Sequence, residues 1–580
     1  MKRVFLYEGD SAEFVLPTWL PYLVFLGLSL LLAVPILRHL PNWGIRDWDL
    51  FTTLHAAAVR SISYYGQFPF WNPYIGGGNI LFAHPEVPVL NPLFGLLLLF
   101  GPLTGLKIQI VVIYFIGLAG FYRLARQLGI SSLASFFPPA VYMLSSYFAL
   151  HFAAGHIPFH YLAMLPWLVL FYKKSLDRPI HILSAAAVIA FIILGSGAAV
   201  PLLYSLFILF LISLFDIGRG RSFRPPLYVV LAVLGGVAFA AVKSFPMADY
   251  LIRNPWIPKE LAQNTPAYVL PHMFFSFNQS IFSTHISGDA WGWHEYGAFV
   301  GPFTAALVLI ALVARFKEVW PWLVLTILSL LLVLGSFVPS ISPWDLLHKL
   351  PVFSSMRVPS RLAIMALFCL AVMAGKGVDT LLSLTKYRKS LLAAVLFIAV
   401  AGINLFISLQ VLGQAFPRPP ETPAFNADFR QTEGDPNKLY SAFLANRGTI
   451  RAAWLSAYRP GRGILGAGDI NQEWYSEGNA VQVIKRTFTP NRISFDLASA
   501  TGGSLVVSQG YDPGWHRVDG GEIKPSYDLV SFTVPPGEQR VELYYRPAHF
   551  GLGIFVSILS IMAALAVPFY RRLLRSKPVS

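Results

Sequence analysis

The sequence predicts an α-helical polytopic membrane protein of about 12 transmembrane helices, with a small β-sandwich-like domain before the last helix. Three observations carry this expectation. The chain of 580 residues is 55% hydrophobic and carries charge on only 13% of positions. Its apolar residues recur in runs of about twenty, the length a helix needs to cross a bilayer. Between residues 413 and 548 the grammar changes to short stretches alternating apolar and polar residues.

Only helices and closed barrels satisfy their own backbone in lipid, so the long runs read as helices. Spans are expected near 17–38, 106–124, 131–150, 160–172, 180–196, 199–215, 227–248, 296–314, 319–338, 361–383, 390–412 and 549–570. The first run, Leu16 to Leu37, is too long for a secretory leader and lacks a small-x-small cleavage pattern, so it reads as a retained span. The stretch "VLNPLFGLLLLFGPL" (89–103) holds fifteen residues and two prolines, which suits an interfacial or re-entrant segment.

The net charge of +15 sits in short loops between apolar runs, which excludes a nucleic-acid surface and instead orients the chain. With the N-terminus inside, Lys2 and Arg3, Arg123 and Arg126, Lys173, Lys174 and Arg178, and Arg219, Arg221 and Arg224 fall on the cytoplasmic side. So do Arg315 and Lys317, Lys386, Arg388 and Lys389, and Arg571, Arg572, Arg575 and Lys577. Segments 39–105, 249–295 and 413–548 then face outward, at a plasma membrane, with both termini cytoplasmic. The domains are a transmembrane part (1–412), a β-rich part (413–548) and a last helix with a basic tail (549–580). In the β-rich part "NRISFDLAS", "GSLVVSQGY", "LVSFTVPPG" and "RVELYYRP" read as strands bounded by Gly and Pro. The single cysteine, Cys369, excludes an intrachain disulfide and a cysteine metal cluster.

Chemistry concentrates in "IRDWDLFTTLHAAAVRSISYYGQFPFWNPYIGGGNILFAHPEVPVLNP" (45–92). Asp47 precedes a helical stretch and can serve as its N-cap. A cap does not account for Arg46, Asp49, His55 and Arg60 gathered beside it, nor for the glycine run after Trp71 and Asn72, where backbone can approach a ligand. That run lacks the lysine and spacing of a phosphate loop. Further along, "STHISGDAWGWHEYGAFVGP" (283–302) brings Asp289, Trp291, Trp293, His294 and Glu295 to a span entrance. The tryptophans suit an aromatic belt, with a sugar-stacking platform as the other reading. Glu295 beside an apolar span needs a partner or a use. Arg357 and Arg361 in "MRVPSR" lie where a positive-inside chain seldom places arginine, and their forked donors suit a phosphate or a structural ion pair.

The blocks "GQFPFWNPYIGGG", "HPEVPVLNP", "GLAGFYRLARQLG" and "MRVPSRLAIMALFCLAVMAGKGVD", followed by "GSLVVSQGYDPGWHRVDGG" and "VPPGEQRVELYYRPAHFGLGIFVS", cover about half the chain. In this order they resemble bacterial YfhO-like membrane proteins of the GT-C glycosyltransferase superfamily. The resemblance implies a GT-C-like fold. It implies transfer of a sugar from a polyprenyl-phosphate donor to an acceptor hydroxyl of an envelope glycan, polymer or protein outside the cell. The register of the family pattern puts the general base at Asp47, thirteen residues before Arg60, with Asp49 as its support. Arg60, Trp71, Asn72, Gly77, Gly78, His84, His156, Glu295, Arg357 and Arg361 are the expected donor- and substrate-binding residues.

Some GT-C members carry a second acidic motif that binds a metal. Here that place reads "HFAAGHIPFH", with His151, His156 and His160 and no carboxylate, and Pro158 separates the last two. No metal ligand is assigned and no cofactor is expected, a divalent cation being the one left open. A lipid-linked glycan exporter competes with the transferase. It would place ionisable groups at midplane in broken helices, whereas the acidic residues here collect in loops. A third reading is a scaffold whose β domain binds envelope glycans without catalysis.

Overall fold

The computed structural model describes residues 17–220, 222–255, 264–285, 291–385, 387–451, 463–464, 473–476, 478 and 480–575. Lys2, Arg3, Arg221, Asp289, Lys386 and Lys577 lie outside the described residues.

Seven helices among the described residues are long and apolar enough to cross a membrane: Leu20–Arg38, Pro102–Gln127, Val200–Gly218, Phe316–Val333, Pro359–Leu384, Lys389–Leu412 and Phe550–Val567. The pair Arg224–Phe239 and Ala241–Arg253, bent by 96°, makes an eighth if it counts as one span. Pro359–Leu384 runs through the centre of the bundle, with 89% of its apolar window buried, whereas Phe550–Val567 lies at the periphery with 11%.

Besides this bent pair, four of the expected spans are short or interrupted. In 131–150, Pro138 and Pro139 fit only the first turn of a helix, Phe137–Met143, and a new helix Ser146–Ala153 begins after the extended Ser145. The 160–172 segment starts as a 3-10 turn, Ile157–Met164, before the helix Leu165–Asp177. His181–Leu194 and Gly301–Ala314 have 14 residues each, about 21 Å of helix against about 30 Å of hydrocarbon. In the 89–103 stretch only Phe94–Phe100 is helical, seven residues stopped by Gly101 at φ +79°.

A buried lysine fixes the exit of the first helix. Lys107 Nζ donates to the carbonyls of His39, Leu40 and Asn42 at 2.8, 2.9 and 2.7 Å. Those carbonyls lie just past the C-terminal end of Leu20–Arg38, so a cation there complements the helix dipole. The chain then turns through Arg46, at φ +55°, into the helix Trp48–Ser63.

The C-terminal part is a β-sandwich of two four-stranded antiparallel sheets. One has the order Lys524–Ser526, Leu529–Val534, Gly503–Gly510, Trp474–Ser476; the other Gln482–Thr489, Arg492–Ser499, Gly537–Tyr545, Trp515–Arg517. Period-two alternation turns Ile493, Phe495 and Leu497 inward against Leu505, Phe532, Val541 and Leu543. The two-residue turn Tyr527–Asp528 has both residues at positive φ, 53° and 58°, which matches the twist of the strands it joins.

This sandwich is seated on the helical part by the 71–78 loop. Trp71 enters the sandwich core beside Trp515 and Tyr545, its indole N–H donating to Gln509 Oε1 at 2.9 Å. Gly76, Gly77 and Gly78 all have positive φ, and a Cβ on Gly78 would stand 2.5 Å from Gln509 Oε1. Arg253 adds an ionic tie, donating to Asp249 on its own helix and to Asp512 of the sandwich at 3.1 Å.

Candidate functional site

Asp47 occupies the N-cap position of Trp48–Ser63 but makes no side-chain capping bond. Its carboxylate turns to His156, with Oδ2 3.2 Å from Nε2. The approach depends on Gly155, at φ +86°, where a Cβ would fall 2.2 Å from the Trp48 amide nitrogen. Two further bonds hold the loop in place, Asp47 N–H to the Ala154 carbonyl at 3.0 Å and the Trp48 indole N–H to the Phe152 carbonyl at 2.8 Å. The Asp47 side chain is 49% exposed, and that exposure opens into a cavity of about 680 Å³. Burial raises its pKa, but the hydrogen bond and charge of His156 outweigh it and hold Asp47 below the usual carboxylate value.

His156 Nε2 faces a carboxylate and so carries a proton. Its Nδ1 lies 2.9 Å from Nδ1 of His151, so a hydrogen on one ring is shared with the other. Behind this pair lies Glu295, gripped by Arg361 through Nε–Oε2 at 2.7 Å and Nη2–Oε1 at 2.5 Å. Arg361 is fixed at its backbone as well, its carbonyl accepting from the Tyr147 hydroxyl, while Ser360 Oγ donates to the Glu295 carbonyl. Burial opposes ionisation of Glu295, and the Arg361 guanidinium overcomes it, keeping the carboxyl well below its ordinary range. Burial pushes the neighbouring His294 down to about 3, so it stays neutral.

His151, His156 and Glu295 bring three possible ligand atoms within 4.8 Å of one another. In this arrangement they do not fit a divalent cation. Both Glu295 oxygens accept from Arg361, whose own charge opposes a cation, and the two imidazoles share one hydrogen. His160 stands apart, bonded to the Ile157 carbonyl at 3.0 Å.

The cavity thus unites Asp47, His156, Arg357 and Arg361, with Glu295 behind Arg361, as residues whose roles were expected together. Arg357 reaches it with its guanidinium 5.3 Å from the Trp291 ring centre. The other expected residues lie elsewhere. Asp49 accepts the amide N–H groups of Leu439 and Tyr440 at 2.7 and 3.0 Å, so it caps the helix Leu439–Leu444 and does not line the cavity. Arg60 stacks on Phe443 and donates to its carbonyl at 2.6 Å. Trp71, Asn72, Gly77 and Gly78 serve the seat of the sandwich: Asn72 Oδ1 accepts from the Tyr74 amide, and Gly77 bonds Thr449 and Gly510. Trp71 and Gly78 border a cavity of about 70 Å³, far below ligand size. His84 is buried beneath the loop, its Nδ1 accepting the Glu86 amide at 3.2 Å.

One cavity residue escaped the sequence reading. Glu86 lines the same wall as Asp47, and no hydrogen bond or ion pair to its carboxylate is found among the described residues. Its only advance signal was a lone acid between prolines in a loop otherwise apolar.

A bundle of membrane-length helices with a charged cavity beside a docked β-sandwich defines a multi-pass membrane protein with a built polar site. The chain belongs to the family described as "6-pyruvoyl-tetrahydropterin synthase related domain; membrane protein", whose model matches residues 95–410. Family membership makes it a membrane protein and assigns it no reaction. No curated protein sequence matches it. Solved structures with a similar fold include arabinofuranosyltransferase AftD from Mycobacteria, determined by cryo-EM, at 14% identity and TM-score 0.46 over 69% of this chain. The match spans 27% of the AftD chain. ArnT from Cupriavidus metallidurans bound to undecaprenyl phosphate matches at 13% identity and TM-score 0.40, over 75% of this chain and 86% of that one. Its apo state matches at 11% and 0.43, over 74% and 84%.

Proposed function

We propose that this protein is a YfhO-like glycosyltransferase of the GT-C type. It transfers a sugar from a polyprenyl-phosphate donor to an acceptor hydroxyl of an envelope glycan, polymer or protein on the extracytoplasmic face. One observation carries the reading: Asp47, relieved of capping its helix and oriented by His156, opens into a cavity that also presents Arg357 and Arg361. At about 680 Å³ that cavity is in the range of ligand sites.

An acceptor hydroxyl is a weak nucleophile. A carboxylate within about 3 Å takes its proton as the new bond to the anomeric carbon forms, contributing roughly 10²–10⁴-fold. The bond from that carbon to the phosphate oxygen breaks, and the departing phosphate gathers charge. Arg357 meets that charge; Arg361 is largely spent on Glu295.

The 96° break before Lys243 is the observation that favours an exporter. Lys243 is nevertheless committed, donating to the carbonyls of Val87 and Gly195 at 2.5 and 3.0 Å, so it braces the cavity wall.

The test is transfer by purified protein in lipid nanodiscs given polyprenyl-phosphate sugars. Wild type is expected to glycosylate an envelope acceptor, and Asp47→Asn to bind donor without turnover. Near-normal transfer by Asp47→Asn would return Asp47 to a structural role. Intact lipid-linked glycan accumulating in cells that lack the protein would favour the exporter.

A further inference from the structure

The loop carrying Glu86 is braced on both sides. Before it, His84 Nδ1 takes the Glu86 amide hydrogen; after it, the Val87 carbonyl accepts from buried Lys243. Farther on, Asn91 donates to the Phe191 carbonyl at 2.9 Å. Three polar side chains therefore fix the backbone around a carboxyl that faces the cavity without a bonded partner among the described residues. A carboxyl in such a place costs free energy unless it is neutral or used.

We propose that Glu86 is a further catalytic residue, the proton donor to the departing lipid phosphate; this rests on the transfer reading above. In the donor the phosphate is a diester with one charge. When its bond to the anomeric carbon breaks, the bonding electrons stay on oxygen and the product is a monoester, whose second ionisation has a pKa of about 6. The proton of the Glu86 carboxyl passes to a phosphate oxygen as this second charge develops, leaving Glu86 as carboxylate and the lipid phosphate as monoanion. The acceptor's proton goes to Asp47, and exchange with water resets both groups.

The charges facing Glu86 agree with this role. Asp47 in the same cavity is ionised and raises Glu86; Arg361 and Lys243 pull the other way, but Arg361 is paired with Glu295 and Lys243 donates to two carbonyls. Arg357 and His156 complete the polar wall, and His84 beneath the loop is held neutral, its pKa pushed down to about 3 by burial, then by Lys243 and His55. A second carboxylate here would repel the phosphate, whereas a carboxylic acid offers it a hydrogen. Burial, followed by the charge of Asp47, pushes Glu86 up to about 7, close enough to the phosphate's second pKa for efficient proton transfer.

The experiment compares wild type, Glu86→Gln and Glu86→Asp as full-length proteins in nanodiscs, with thermal melts to verify folding. Undecaprenyl phosphate binding is measured between about pH 6 and about pH 8, and turnover is measured with a phosphate-linked donor and its thiophosphate analogue, a better leaving group. Glu86→Gln is expected to lower kcat about 100-fold, with donor KM within about twofold. It should also flatten the loss of lipid-phosphate affinity that wild type shows as pH rises through about 7. The thiophosphate donor should narrow the kcat deficit, and Glu86→Asp should restore part of the rate. Glu86→Gln with wild-type kcat and a wild-type pH profile would overturn the proposal while Asp47→Asn still abolished transfer. Absence of turnover by wild type with every donor would instead overturn the transfer reading, and this role for Glu86 with it.

Discussion

Asp47 and Asp49 stand two residues apart and hold together different parts of the molecule. Asp47 faces His156 and the cavity, while Asp49 accepts the amides of Leu439 and Tyr440. Two positions along a helix differ by about 200° in direction, so one segment lines a cavity and braces a distant helix at once.

Removing the imidazole should therefore act through Asp47. His156→Phe deletes the bond and charge that hold the Asp47 carboxyl low, so burial will raise its pKa. The acid limb of the transfer rate is expected to move to higher pH. A pH–rate profile checks this, and an unmoved limb would detach His156 from the base.

Asp49→Asn keeps one acceptor oxygen and loses the charge, so the cap on Leu439–Leu444 weakens. A loss of roughly 1–3 kcal/mol is expected, with transfer reduced and not abolished. Thermal unfolding and turnover on the same preparation separate the two effects.

Glu295→Gln strands a buried guanidinium. Breaking such a pair from one side costs roughly 3–5 kcal/mol, and Glu295→Gln with Arg361→Met should recover much of the stability. The native pKa of Glu295 is depressed, so its contribution is present above the unfolded value of about 4.3 and is lost as pH falls toward the native one. Melting temperature against pH should show this contribution only as an acid-side loss, and Glu295→Gln should lack it.

Trp71→Ala and Gly78→Ala test the seat of the sandwich. Deleting the buried indole is expected to cost roughly 3–5 kcal/mol. Limited proteolysis should then release the 413–548 part more readily, with lipid-phosphate binding retained. Loss of that binding in a protein with an intact sandwich would return Trp71 to the cavity.

Sidedness is accessible because Cys369 is buried. A cysteine placed at exposed Tyr527 should react with an impermeant maleimide in intact cells, and one at Lys174 should not. Reversal of that pattern would invert the topology.

The helical bundle and the sandwich were legible in sequence because each repeats one period over many residues. The span count was less so. Composition marks an apolar run but not where Pro138 or Gly301 cuts a helix short, nor that Lys243 would brace a wall across a 96° bend. Asp47, His156, Arg357 and Arg361 were named and do meet, since each is a polar residue beside a span with no local partner in view. Arg60, Trp71 and the glycines gave the same signal for another reason. Their partners lie some 370–440 residues away, at Phe443, Thr449 and Gln509, and no local pattern reveals a domain seat. Glu86 was passed over because a lone acid carries no spacing to read.

The cap that Asp49 places on Leu439–Leu444 also sets a schedule for biogenesis. Its partners are separated from it by 390 and 391 residues, so at about 5–20 residues per second the ribosome delivers them roughly 20–80 s later. Until then the helix Trp48–Ser63 is held only by earlier elements, through bonds such as His55 to Ser196 and Trp48 to Phe152. Completion of this cap thus waits on nearly the last quarter of the polypeptide. Chains arrested before residue 439 should enter the membrane yet be more open to protease at Trp48–Ser63 than the full-length protein.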